Sequence, residues 1–133
     1  DREDFAARVR EITDDRGVDV VYDSVGQATF EKSLDCLRPL GMMVTFGQSS
    51  GPVPAFEIGN LAAKGSLFMT RPTLMTYTAA RDDLLAHARD LFNVVTSKAV
   101  KIEVNQTYPL AEAARSHRDL EARKTTGSTI LLP

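Results

Sequence analysis

The sequence holds one cysteine, Cys36, and two histidines, His87 and His117. A lone thiol forms no intramolecular disulfide, and without a CxxC or clustered His/Cys there is no zinc-binding pattern. Cys36 lies in the helical stretch Ser33-Leu34-Asp35-Cys36-Leu37 and reads as a small core residue, with no basic partner in sequence to activate it. No apolar run approaches the roughly 20 residues that span a bilayer, and no signal-peptide pattern opens the chain. A cytoplasmic location is therefore the expectation. Charge of either sign is not in excess. Sixteen basic against 18 acidic residues leave −2 at pH 7, which gives no electrostatic case for nucleic acid or an anionic membrane.

The familiar site motifs are missing too. There is no Gly-x-Gly-x-x-Gly loop to hold a pyrophosphate at a helix N-terminus, and no ribose-reading residue can be assigned beyond one. P-loop, HExxH, Gly-x-Ser-x-Gly and a Ser-His-Asp order are likewise absent. The carboxylate pairs Asp14-Asp15 and Asp82-Asp83 read as solvated helix faces, and both histidines as ordinary helix residues. An initiator methionine is lacking. The start at Asp1-Arg2-Glu3-Asp4 is expected to be a fragment boundary.

What remains is a chain of 133 residues, enough to bury about two thirds of its unfolded surface. Phe5, Val9 and Ile12 place an amphipathic helix over 3–16, stopped by Gly17. Val18–Tyr22 is a short β-branched run, expected to be a strand buried on both faces. A second helix is expected over 28–38, ended by Pro39 and Gly41, and a second strand over Met42–Phe46. A loop over 47–54, a short helix near 56–64 and a strand Ser66–Thr70 follow. Leu84, Leu85, Ala88, Leu91, Phe92 and Val95 mark a strong helix over 79–97. Then come a brief strand at Lys101–Val104, a helix from Leu110 to about Ala122 and a strand Ser128–Leu132. Alternating helices and strands imply parallel pairing through right-handed crossovers, so the fold class is α/β, a doubly wound parallel sheet.

Ligands of such sheets bind beyond the carboxyl ends of the strands. Three such ends are visible: Asp23-Ser24-Val25-Gly26, Phe46-Gly47-Gln48-Ser49-Ser50 and Thr70-Arg71-Pro72-Thr73. Gly26 and Gly47 allow close backbone approach, while Ser24, Gln48 and Ser49 offer polar edges. Taken singly, each is also an ordinary strand-to-helix turn.

These segments resemble one family. Gly17-Val18-Asp19-Val20-Val21-Tyr22-Asp23-Ser24-Val25-Gly26 is similar to the fourth Rossmann strand and turn of the zeta-crystallin-like NADPH:quinone oxidoreductases, zinc-independent medium-chain dehydrogenases/reductases. Residues 33–41 and 45–51, Lys64-Gly65-Ser66-Leu67, the Thr70-Arg71-Pro72 step, Tyr108-Pro109-Leu110 and the Gly127-to-Pro133 ending resemble the same group in order. The resemblance implies a Rossmann-type sheet, its second half, over 1–100. It implies a segment returning to the GroES-like catalytic domain of the parent over 101–133. The first half of the enzyme, with its glycine-rich loop, falls outside the resemblance.

Several functional expectations follow from the same resemblance. The cofactor is NADPH, and the parent passes a hydride from it to a quinone, chemistry that needs orientation more than an acid or base. Ser24 would lie near the adenosine side; Phe46, Gly47, Gln48 and Ser49 along the nicotinamide and its ribose; Arg71, Pro72 and Thr73 at the nicotinamide end. Arg123 would close on the cofactor, or else cap the last helix. No residue is assigned a catalytic or metal-binding role. The strand at 66–70, where Leu67 and Met69 alternate with Phe68 as suits a strand covered on both faces, would be an exposed edge that pairs with a second subunit in a homodimer. Two alternatives stay open: an enoyl or alkenal reductase of the same superfamily, or a non-catalytic module for nucleotide binding or dimerisation. The fragment alone is expected to be inactive.

Overall fold

The computed structural model describes residues 3–133. They fall into two compact units, divided between Tyr77 and Thr78.

In the first unit, α1 (Phe5–Ile12) begins where the Asp4 carboxylate accepts from the Ala6 amide at 3.2 Å. Arg10 on α1 then reaches across 25 residues to the end of α2 (Phe30–Asp35). Its Nη2 donates to the carbonyl of Asp35 at 2.7 Å and to that of Leu37 at 3.0 Å. One guanidinium thus satisfies carbonyls that the end of a short helix leaves without partners. The helix stops earlier than the 3–16 expectation, and Asp14 and Asp15 sit in the following turn, both at positive φ.

The sheet is parallel, in the order β1 (Val18–Asp23), β2 (Leu37–Thr45), β3 (Phe68–Thr70). Its register runs Val20↔Met42, Tyr22↔Val44 and Asp23↔Thr45, then Met42↔Phe68 and Val44↔Thr70. β2 corrects the sequence reading, because Pro39 and Gly41 lie inside the strand instead of ending the helix. Val18 pairs with Leu37 but Val20 already pairs with Met42, so four β2 residues stand opposite the single Asp19. The extra residues bulge outward, which is where a proline costs no ladder hydrogen bond. The Leu40 amide closes the bulge on the Gly65 carbonyl at 2.8 Å. Gly17 makes room for it. At φ +78° it approaches so closely that a Cβ would lie 2.7 Å from the Arg38 amide nitrogen.

Phe30, Leu34, Leu37, Met43 and Leu67 form the buried core, with Val18, Val21, Val53, Phe56 and Leu61 packed against it. Cys36 is buried beside them, as expected of a small core residue. Two other expectations fail. Val20 and Tyr22 are exposed, so β1 is covered on one face and not both, and on β3 Phe68 and Met69 are exposed while the neighbouring Leu67 is buried. A short α3 (Gly59–Ala63) precedes β3, and α4 (Leu74–Tyr77), which the sequence pattern did not indicate, follows it.

In the second unit, α5 (Arg81–Thr96) matches the expected helix, and Leu84, Leu85, Leu91 and Phe92 on it are exposed. β4 (Val104–Pro109) and β5 (Ser128–Leu132) pair in parallel through a 3-10 turn at Leu110–Glu112 and α6 (Ala113–Glu121). The fourth strand therefore begins where Lys101–Val104 was expected to end. Its polar residues hid it, yet Gln106 donates from Nε2 to the Thr126 carbonyl and to Thr129 Oγ1, each at 2.9 Å. Tyr108 donates to Asp119 Oδ2 at 3.1 Å and ties β4 to α6. This bond heads the causes that hold the Asp119 carboxyl below its usual range.

Leu34 is 1% exposed, and deletion of such a side chain costs about 2–5 kcal/mol. Leu34→Ala is expected to lower the urea midpoint of the first unit by a matching amount. A loss below about 1 kcal/mol would show that this cluster is not the core.

Candidate functional site

The three strand-end turns meet at one edge of the first sheet, and a buried carboxylate organises the first of them. Asp23, the last residue of β1, is 4% exposed. Its Oδ1 accepts from the amides of Val25 at 2.7 Å and Gly26 at 3.0 Å. Its Oδ2 accepts from Thr29 Oγ1 at 2.8 Å and Ser33 Oγ at 2.9 Å, both near or on α2. Burial is the largest single influence on this carboxyl and pushes its pKa up. The Gly26 amide, the Thr29 hydroxyl, the Val25 amide and the Ser33 hydroxyl together outweigh it, so Asp23 titrates below its ordinary value. The sequence signal for this network was an aspartate followed by hydroxyls six and ten residues later. Sequence reasoning passed over it because Asp23 read only as a turn residue.

The second turn is laced to the first. Phe46 donates its amide to the Asp23 carbonyl at 2.9 Å, Ser49 to Ser24 at 3.3 Å and Ser50 to Val25 at 2.9 Å. Gly47 is required here, since a Cβ on it would lie 2.3 Å from the Ser24 carbonyl oxygen. Ser50 Oγ adds a bond to the Val25 carbonyl at 2.7 Å and accepts from the Ala28 amide at 2.9 Å. The third turn joins through Arg71, which donates to Gln48 Oε1 at 3.3 Å and to Thr45 Oγ1 at 3.4 Å.

Eight of the sequence-derived site residues thus lie on these turns. Ser24, Phe46, Gln48, Ser49, Arg71 and Thr73 are exposed along the edge, and Gly47 and Pro72 are half-buried between them. Arg123 belongs to the second unit, at φ +55° two residues beyond the end of α6. A cleft of roughly 370 Å³ between the 52–56 loop and the ends of β2 and β3, lined by Arg71 and Gln48, was not foreseen. Its loop has no periodicity to announce it.

Parallel strands linked by helices, with polar turns gathered at their carboxyl ends, define an α/β fold of the nucleotide-binding class. The chain belongs to the zinc-binding dehydrogenase family, whose model matches residues 1–131. It is 52% identical over 131 residues to the quinone oxidoreductase of Pseudomonas aeruginosa, covering 98% of this chain and 40% of that protein. It is 46% identical over 132 residues to a 2-haloacrylate reductase of a Burkholderia species, again covering 98% of this chain and 40% of the relative. The structure of Escherichia coli quinone oxidoreductase complexed with NADPH superposes with a TM-score of 0.90 at 47% identity, over 99% of this chain and 41% of that one. The chain therefore spans about two fifths of the length of these relatives.

Zinc appears in the family's description, but the donor chemistry of this chain does not fit it. Among the described residues no group of three His, Cys, Asp or Glu side chains could hold a metal ion. Burial, with Asp35 beside it, pushes the Cys36 thiol above its usual range, and its Sγ is engaged with the Lys32 carbonyl. The strand-end edge does suit a dinucleotide, because it combines exposed hydroxyl, amide and guanidinium groups with a glycine that brings two turns together.

Because the folded Asp23 carboxyl titrates below its unfolded value, the stability it confers is present above the unfolded pKa, near 3.9. It is lost as pH falls through the folded value. Urea midpoints are expected to fall as pH drops below about 4 and on through the folded value. In Asp23→Ala the first unit should lose about 1–3 kcal/mol at pH 7 and much of that acid sensitivity. An unchanged midpoint at pH 7 would show that the network is not holding the turn.

Proposed function

We propose that the protein to which this chain belongs is an NADPH-dependent quinone oxidoreductase of the zinc-independent branch of its family. The observation that carries the proposal is the laced edge of three strand-end turns. It is supported by the identity to quinone oxidoreductases and by the likeness to one complexed with NADPH. When bound, NADPH supplies the hydride that reduces the quinone.

In this reading the chain's own residues bind and orient. Ser24 stands at the adenosine side. The Phe46 ring, 52% exposed, offers a flat face to the nicotinamide. Gln48 and Ser49 present hydrogen-bonding groups to the ribose, and Gly47 lets their turn settle on Ser24. Arg71, steadied by Gln48 and Thr45, meets the carboxamide end together with Pro72 and Thr73. Arg123, in the second unit, is a further cofactor-binding residue of the whole protein. No side chain here is asked to move a proton. Residues 1–100 form the second half of the Rossmann domain, and 101–133 return to the catalytic domain. The protein acts in the cytoplasm, and among the described residues no helix is long and apolar enough to cross a membrane. The chain by itself is inactive.

One observation favours a second reading, reduction of an activated alkene: the 46% identity to a 2-haloacrylate reductase. The same edge serves both.

The assembly is a homodimer joined through the edge strand at 66–70. Among the described residues β3 pairs only with β2, and Phe68 on it is exposed.

Calorimetric titration of the whole protein with NADPH is expected to show Arg71→Ala weakening binding about tenfold, roughly 1.4 kcal/mol. Unchanged affinity would remove Arg71 from the site. By sedimentation, the whole protein is expected at twice its protomer mass, and Phe68→Lys at one protomer mass. A monomeric parent contradicts the dimer.

A further inference from the structure

We infer that the cleft between the 52–56 loop and the ends of β2 and β3 is a second ligand site, built for a small planar carboxylate with an apolar body. At roughly 370 Å³ it falls within the usual range of small-molecule sites, about 300–1,000 Å³. Its walls are apolar and fixed. Phe30 and Phe56 meet edge to face with centroids 5.2 Å apart, and Val53 and Met69 line the space beside them. Of these four residues, none belongs to the turns assigned to the cofactor.

The polar lining gathers at the strand ends. There the buried Thr45 hydroxyl and the Gln48 amide each accept from the Arg71 guanidinium, at 3.4 and 3.3 Å. Both contacts are long for an N–H···O bond, and neither acceptor is charged. Arg71 has no carboxylate partner among the described residues, and only two of the five donors of a guanidinium are engaged there. A planar fork of donors without an anion, on the lining of an apolar slot, is complementary to a carboxylate on a flat hydrocarbon. A neutral ring of the same shape would fill the slot but leave the charge unmatched.

The inference rests on the cofactor reading only in that both use Gln48 and Arg71, so its test is made without cofactor. Sodium benzoate is titrated into the full chain while the methyl groups of Val53 and Met69 are followed by NMR. Saturable shifts are expected at both methyls. Benzamide, equal in size and neutral, should bind at least about tenfold more weakly. Arg71→Gln should remove that preference. Ala55→Trp, which fills the cleft from an exposed lining position, should abolish both titrations. Absence of saturable shifts, equal affinity for benzamide, or benzoate binding unaltered in Arg71→Gln would each overturn the proposal. A separate NADPH titration read at the Ser24 and Gly47 amides decides the cofactor reading independently.

Discussion

A carboxylate removed from water at the end of a strand must be matched by donors, or it destabilises the fold that buries it. Asp23 meets this demand with two backbone amides and two hydroxyls, and the geometry of the edge follows from those four bonds. The amides bend the chain sharply after β1, and the hydroxyls draw the start of α2 beneath the turn. The Asp23 carbonyl then accepts from Phe46, which sets where β2 ends. Gly47 can lie against Ser24 only because that turn is held. The edge is therefore rigid at β1 and β2 and more loosely joined at β3, where Arg71 makes two long bonds.

That gradient bears on the proposed function. Hydride chemistry depends on holding two reactants in line more than on any acid or base. A stiff pair of turns provides a reference surface, while a guanidinium with donors to spare can adjust to what binds. The same side chain lines the apolar cleft, so one residue stands between the two proposed ligand surfaces.

Much of this was legible in the residues, and the failures have physical reasons. β5 was read at its observed bounds because Ser128–Leu132 is apolar and follows a glycine. The three turns were found because Gly, Ser and Asp cluster where backbones must bend. β2 was misread at its start because Pro39 and Gly41 usually end an element, whereas here they occupy a bulge closed by Gly65. β4 was placed too early since its side chains Asn105 and Gln106 stabilise it by hydrogen bonds and not by burial. Burial itself was overestimated for β1 and β3. A pattern of apolar residues states what a strand can bury, and Tyr22 and Phe68 remain exposed in this chain. The cleft could not be read at all. It depends on a loop of prolines and small residues meeting two strand ends distant in sequence.

The central claim is that the turns at Ser24, Phe46–Ser49 and Arg71–Thr73 act as one cofactor edge. Amide hydrogen exchange on the whole protein, with and without saturating NADPH, tests it most directly. The account predicts slower exchange on binding at Gly47, Gln48, Ser49, Arg71 and Thr73 together, with the amides of α1 unchanged. Protection confined to segments outside these turns, with these five amides unaffected, would contradict it.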